Sequence, residues 1–211
     1  KDILEMLKKA GLDGKVEFTG SAKYHAFLPL LGEDDIRRQI IANNETCKYY
    51  LGEAYRPRGF FPPEMAYSQK FISVVESLGF EWIILDEIAL NGEPGKVDYS
   101  KLYKIKGTKM NAFFRERRLS NLIMSAVVRS KETLNEAMRE DLTSDRYIVT
   151  AMDGETFGHH RPGLEKMLFE ILDTTDLSLA TISDLLSEKR EVIEIDPIAS
   201  TWASSENDID Q

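Results

Sequence analysis

Short apolar runs ending in an acid, a histidine or an arginine alternate with stretches of helical period along most of this chain, and no other feature restricts its fold as much. Val16–Phe18, Glu81–Leu85, Leu102–Ile105, Asn111–Phe114, Tyr147–Ala151 and Val192–Ile195 read as strands. Ile3, Leu7 and Ala10, then Ile36, Ile40, Cys47 and Leu51, then Phe71, Val74, Val75 and Leu78 fall on single helix faces, stopped by Gly11 with Gly14, by Gly52 and by Gly79. Leu119, Leu122, Ile123 and Ala126 mark another helix, and Leu134 with Met138 its continuation or a second short one. Leu164, Met167, Leu168, Ile171 and Leu172 mark a further helix with Pro162 in its first turn, and Ser183 caps a short helix containing Leu185 and Leu186. Asn91–Ser100, with Gly92, Pro94 and Gly95, reads as a surface insertion. Such alternation builds an α/β fold on a largely parallel sheet, in one domain over residues 1–211 with a polar, acidic tail at 204–211.

Open α/β sheets and barrels place their ligands at the carboxyl ends of their strands. His25, Glu64, Asp86, Arg115 and Asp153 all fall at or just past such ends, so they are expected to share a pocket. The densest stretch is Met152–His160, which puts Asp153, Glu155, His159 and His160 on one loop with two glycines that let it bend. Proton transfer, metal ligation and sugar hydroxyl binding are all within its chemistry. Glu64 follows Pro62 and Pro63, which forbid a helix before it, so it is expected on a stiff, extended segment.

Two carboxylates from separate strands admit glycoside chemistry: one attacks or stabilises an oxocarbenium-like centre while the other protonates the leaving oxygen. Glu64 and Asp153 are the best such pair. A gap of ~5–5.5 Å between them would retain anomeric configuration and one of ~6.5–9.5 Å would invert it. Glu155 is the rival acid, because on an extended loop it points the same way as Asp153.

The chain carries 36 acids against 27 bases, a net charge of −9, which disfavours nucleic acid and anionic membranes and suits a neutral ligand such as carbohydrate. No run approaches the ~18 apolar residues of a membrane span. The single cysteine, Cys47, excludes an internal disulfide framework, reads as a small buried hydrophobe and leaves the cytoplasm as the favoured compartment. The sequence starts at Lys1 without a signal-type segment and is expected to be a piece of a longer protein.

Several of these residues also lie in recognisable blocks. Tyr24–Leu31 (YHAFLPLL), Gly59–Glu64 (GFFPPE), Asp86 after WIIL, Phe114–Ser120 (FRERRLS) and Met152–His160 (MDGETFGHH) resemble, in content and in order, successive blocks of glycoside hydrolase family 57. The resemblance spans roughly Val16 to Pro197. It implies an irregular (β/α)7-type barrel and retaining action on α-glucosidic bonds, as in amylases, 4-α-glucanotransferases, amylopullulanases and branching enzymes. On that resemblance Glu64 is the nucleophile and Asp153 the acid/base. His25, Asp86, Arg115, Glu155, His159, His160 and Trp202 are then the candidates for contact with an α-glucan, and neither a metal nor another cofactor is expected. The family's first, histidine-containing block and the helical domain after the barrel have no counterpart, so the barrel is expected to be incomplete at its N-terminus. Ser200–Ser204 is only loosely similar to a late tryptophan block, and Trp202 reads equally as a core residue.

Two other readings compete. Metal-dependent polysaccharide deacetylation would use His25, Asp153, His159 and His160, although adjacent histidines diverge from one local backbone. A non-catalytic, amylase-like carbohydrate-binding protein would keep both carboxylates as ancestry.

Overall fold

The computed structural model describes residues 2–173 and 177–203; the polar tail expected at 204–211 lies outside them. The described residues divide into two compact units, 2–97 with 101–114 and 181–203, and 98–100 with 115–173 and 177–180. Among the described residues no helix is long and apolar enough to cross a membrane.

The first unit opens with α1 (Ile3–Leu12), capped by the Asp2 carboxylate, which accepts from the Leu4 N–H at 2.9 Å. Val16–Phe18 forms no strand ladder among the described residues; the backbone makes a parallel bridge at Gly20, with Phe60. An apolar run becomes a strand only where a neighbour supplies a ladder, and here the neighbour is two residues long. α2 (Glu33–Leu51) carries Glu33, Asp34 and Asp35 in its first turn and Lys48 in its last, each suited to the helix dipole. It buries Ile36 and Ile40 and ends at Gly52, whose φ of 58° suits a glycine. Cys47 lies on the same face, half-buried.

Five strands follow: β1 (Gly59–Phe60), β2 (Trp82–Asp86), β3 (Leu102–Ile105), β4 (Asn111–Arg115) and β5 (Val192–Ile195). They form one open sheet in the order β1-β2-β4-β3-β5. It is largely parallel, as expected, with one antiparallel pairing: β1 with β2 and β3 with β5 run parallel, whereas β3 and β4 are antiparallel neighbours. The connection between those two is short enough for a hairpin and too short for a crossover helix. α3 (Gln69–Ser77) joins β1 to β2, burying Phe71, Val74 and Val75, and Gly79 at φ 90° turns the chain into β2.

β2 is buried at all five positions. Trp82, at its start, lies flat over Gly59, its registered partner, so closely that a Cβ there would stand 2.0 Å from the indole. The indole N–H donates to Ser183 Oγ at 3.0 Å, and Ser183 is bound in turn by the Glu17 carboxylate. Ser183 therefore sits inside α7 (Ile182–Leu185) rather than capping it. The cap is Thr181, in a reciprocal capping box with Asp184. Arg58 and Glu81, just before β1 and β2, form a bidentate pair at 2.8 and 2.7 Å.

In the second unit Tyr147–Ala151 buries Tyr147, Val149 and Ala151 alternately but forms no strand ladder among the described residues; it makes a parallel bridge from Val149 to Arg115. α4 (Arg117–Met124) is capped by the Glu116 carboxylate, and α5 (Lys131–Ala137) by a Ser130–Thr133 capping box. With α6 (Leu164–Leu172) they enclose Leu119, Ile123, Val128, Leu134, Leu164 and Met167. Pro162 lies ahead of the helix, which is capped by Gly163 at φ 91°, and Leu172 faces outward instead of into the core. Tyr99, expected on a surface insertion, is 3% exposed because its ring meets Tyr147 edge-on at 5.8 Å. Val97, in the same insertion, is buried in the first unit.

Gly59→Ala tests the Trp82 contact. Overpacking a buried site costs about 1–3 kcal/mol, so urea unfolding should show a loss in that range. A loss below about 0.5 kcal/mol, the scale of an indifferent surface change, would mean that the indole has room to move.

Candidate active site

Pro62, Pro63 and Met65 are buried and hold a tight turn, Pro63–Met65, in which Glu64 projects. The segment is not extended, as its prolines suggest. Glu64 is left-handed, at φ 60° and ψ 15°, and Met65 follows at φ 47°. For non-glycine residues such backbone costs about 1–3 kcal/mol each and persists only where the surroundings impose it. Here Met65 and Ala66 N–H donate to Pro62 and Pro63 carbonyls at 2.9 and 3.0 Å, and Met65 is fully buried.

A distant segment completes the restraint. Tyr67 and Ser200 exchange backbone hydrogen bonds at 2.8 and 3.2 Å, and one step along, Trp202 N–H donates to the Glu64 carbonyl at 3.1 Å. Thr201 Oγ1 donates to the same carbonyl at 2.7 Å. Trp202 is thereby laid beside Glu64, where its Nε1–H donates to Oε2 at 2.8 Å and its ring meets Phe61 edge-on at 6.0 Å. The other oxygen, Oε1, lies 2.7 Å from His25 Nε2. His25 is itself left-handed, at φ 53°, which turns its exposed ring back toward Glu64.

The His25 hydrogen bond holds the Glu64 carboxyl below its ordinary value of 4.5, against the opposing effect of partial burial and with help from Trp202. The side chain remains open to solvent, at 38%. It is an ionised, accessible carboxylate between two N–H donors. That combination suits a nucleophile, which needs its charge and a path to its target.

The second unit presents the other acids. Asp153 and Glu155 are exposed, and Gly154–Thr156 is a 3-10 turn, so the two side chains do not share the direction that an extended loop would give them. The Glu155 carbonyl accepts from both His159 and His160 N–H, at 3.2 and 2.7 Å, which closes the loop on itself with both imidazoles outward. Behind it stands Arg115, 2% exposed, whose Nε donates to the Ala151 carbonyl at 2.8 Å and whose Nη2 donates to Asn121 Oδ1 at 2.7 Å. Ser120 Oγ accepts from Ala151 N–H at 3.2 Å while donating to the Glu116 carbonyl at 2.6 Å. Arg115 thus braces the backbone just ahead of Asp153. Asp86 is fully buried at the end of β2, where its carboxylate accepts from Ile88 N–H at 3.2 Å.

Within the first unit, then, the structure brings His25, Glu64 and Trp202 together. Within the second it gathers Asp153, Glu155, His159 and His160, with Arg115 beneath. Among the described residues no group of three or more His, Cys, Asp or Glu side chains is arranged to hold a metal ion. Thr201, Ser120 and Asn121 escaped sequence reasoning. Thr201 could have been suspected, because a hydroxyl beside a candidate tryptophan can cap a strained backbone; the other two carry no local signal.

His25→Ala should raise the Glu64 pKa toward its ordinary value, observed by carbon-detected NMR of the carboxyl. Because the folded-state value is lowered, the pairing contributes stability above pH 4.5, and that contribution is lost as pH falls through the lowered value. An unchanged titration would remove His25 as the cause. Ser120→Ala strands the buried Ala151 N–H at about 1–3 kcal/mol, and exchange of that amide should quicken accordingly; unaltered protection would mean that another acceptor replaces Ser120.

Glycosyl hydrolase family 57 matches residues 1–196. An alpha-amylase of Niallia circulans is 32% identical over 88 residues, 40% of this chain and 7% of that protein. The 1,4-alpha-glucan branching enzyme of Thermococcus kodakarensis is 26% identical over 152 residues, 59% of this chain and 22% of that protein. The chain therefore spans less than a quarter of the curated relatives it matches. In structure it superposes on a family 57 branching enzyme from Thermococcus kodakaraensis with a TM-score of 0.77 and 21% identity, over 98% of this chain and 53% of that one. It superposes on the 4-alpha-glucanotransferase of Thermococcus litoralis at 0.74 and 18%, over 94% and 31%. The fold is the (β/α)7-like one of those domains, with its sheet open among the described residues. The chain belongs to glycosyl hydrolase family 57.

Proposed function

We propose that this chain carries retaining glycoside chemistry on α-glucosidic bonds of an α-glucan, by hydrolysis or by transfer, with Glu64 as nucleophile and Asp153 as acid/base. The observation that carries this reading is the Glu64 carboxylate, half-exposed and held between His25 Nε2 and Trp202 Nε1 on a left-handed backbone. The amylase, branching and glucanotransferase activities named for its relatives supply the substrate class. A net charge of −9 agrees with a neutral glucan.

In the first step Glu64 attacks the anomeric carbon. The glycosidic C–O bond breaks, and its oxygen leaves with a proton from Asp153, giving a glycosyl ester on Glu64. In the second, water or a sugar hydroxyl attacks the same carbon, yields its proton to Asp153, and Glu64 departs as carboxylate. Two inversions retain configuration. His159, His160 and Glu155, exposed on the Asp153 loop, offer hydrogen bonds to sugar hydroxyls. Arg115 and Asp86 are buried, at 2% and 0% exposure, and Arg115 supports the backbone ahead of Asp153.

Glu64→Gln keeps the shape and removes the nucleophile, and turnover should fall at least about 10³-fold, the scale of losing a reacting group. A slow fluorinated α-glucosyl fluoride should label Glu64 in peptide mass analysis, and label on Asp86 would sink the assignment. The first product, followed by proton NMR, should be the α-anomer. Asp153→Asn should slow poor leaving groups about 10²–10⁴-fold and activated aryl groups far less. If only Glu155→Gln shows that dependence, with rescue by azide, the acid/base role belongs to Glu155.

A further inference from the structure

The two oxygens of the Glu64 carboxylate are held by very different donors. Oε2 accepts from Trp202 Nε1 at 2.8 Å. Trp202 is tied to the same turn by its own N–H on the Glu64 carbonyl at 3.1 Å, by Thr201 Oγ1 on that carbonyl at 2.7 Å, and by its edge-on contact with Phe61. The first two hold the backbone that carries the indole beside Glu64, and movement of the ring away from Oε2 would give up its contact with Phe61. Oε1 instead meets His25 Nε2, on a side chain that is 69% exposed and carried by a loop before the first strand.

We propose that Trp202 is a positioning residue that keeps its hydrogen bond to Glu64 Oε2 through the whole reaction, so that Oε1 is the atom that attacks and His25 yields its bond as the sugar arrives. The inference rests on the reading of Glu64 as nucleophile and adds which oxygen reacts and what fixes it.

The chemistry favours this division. When Oε1 bonds the anomeric carbon, the carboxylate becomes an ester, in which Oε1 is the alkyl oxygen and Oε2 the carbonyl. A carbonyl oxygen is a good acceptor and an ester alkyl oxygen a poor one, so the fixed donor belongs on Oε2 and the movable donor on Oε1. When the ester is cleaved, the C1–Oε1 bond breaks with its electron pair going to Glu64, and water or a sugar hydroxyl forms the new bond to C1. The returning negative charge spreads over both oxygens, where the indole N–H is already in place to stabilise it. Trp202 therefore assists departure of Glu64 and opposes its attack, because it binds the carboxylate more tightly than the ester.

The decisive experiment is a crystal structure of the wild-type protein trapped with the fluorinated α-glucosyl fluoride. C1 bonded to Oε1, with Trp202 Nε1 within hydrogen-bond distance of Oε2, is expected. C1 bonded to Oε2, or an indole turned away from it, overturns the proposal. Trp202→Phe keeps an aromatic ring and removes the N–H, and reactivation of the trapped enzyme should slow about tenfold, as for loss of one hydrogen bond to a charged group. A role confined to stacking on sugar would instead raise KM and leave reactivation unchanged, and that result also overturns the proposal. Should the variant fail to fold, the wild-type structure decides alone. Label on an acid other than Glu64 refutes the nucleophile assignment and the proposal with it, whereas label on Glu64 through Oε2 refutes the proposal alone.

Discussion

The candidate nucleophile depends on a backbone contact between residues far apart in the chain. The antiparallel pairing of Tyr67 with Ser200 sets the register that places Thr201 and Trp202 on the Glu64 carbonyl. Shifting such a pairing by one residue would turn Trp202 to the other face and leave Oε2 without its donor. Left-handed Glu64 and Met65 are local costs, offset by the buried prolines, by Met65 and by the two donors on one carbonyl. The strain has a use: a left-handed residue throws its side chain where neither helix nor strand would, here toward a ring carried by the equally left-handed His25.

The second unit reaches the same end by other means. Among the described residues its acid loop has no left-handed acid and no donor on Asp153 comparable to Trp202. What is fixed is the backbone ahead of it: Ala151 has its carbonyl on Arg115 and its N–H on Ser120. Both partners are buried, so the hydrogen bonds compete little with water and a lost one is costly. The loop beyond is a 3-10 turn closed by the histidine amides on the Glu155 carbonyl, leaving the side chains of Asp153, His159 and His160 in solvent. Rigid backbone beneath and free side chains above is a reasonable division for groups that must move a proton or follow a sugar.

Elements with a strong period and a clear stop were legible in the sequence. The faces of α2 and α3, closed by Gly52 and Gly79, and the buried run of β2 ending at Asp86 stand where periodicity puts them. Val16–Phe18 and Tyr147–Ala151 read as strands in the sequence but form no ladder among the described residues, because ladder formation is a property of the neighbour. Side-chain environment was the harder part. Arg115 lies at the end of β4 as expected, yet nothing local says that its guanidinium is spent on a backbone carbonyl. The family blocks singled out His25 and Glu64, but their mutual hydrogen bond is a tertiary fact. Trp202 was ambiguous between core and sugar contact because composition records an indole and not the acceptor of its N–H.

A chain with nine more acids than bases should, as a whole, make each carboxylate harder to ionise, yet Glu64 is shifted the other way. Range resolves the opposition. Charges spread over the surface act through water and are largely screened beyond about 8 Å at physiological salt. Donors at 2.7 and 2.8 Å act at contact on a carboxylate partly shielded from solvent. Hydrogen bonds to an ionised group are worth roughly 1.5–3 kcal/mol, more than a diffuse field of like charge supplies. The excess acid can therefore keep polyanions away from the protein while the charge state of Glu64 is set by two neighbouring rings.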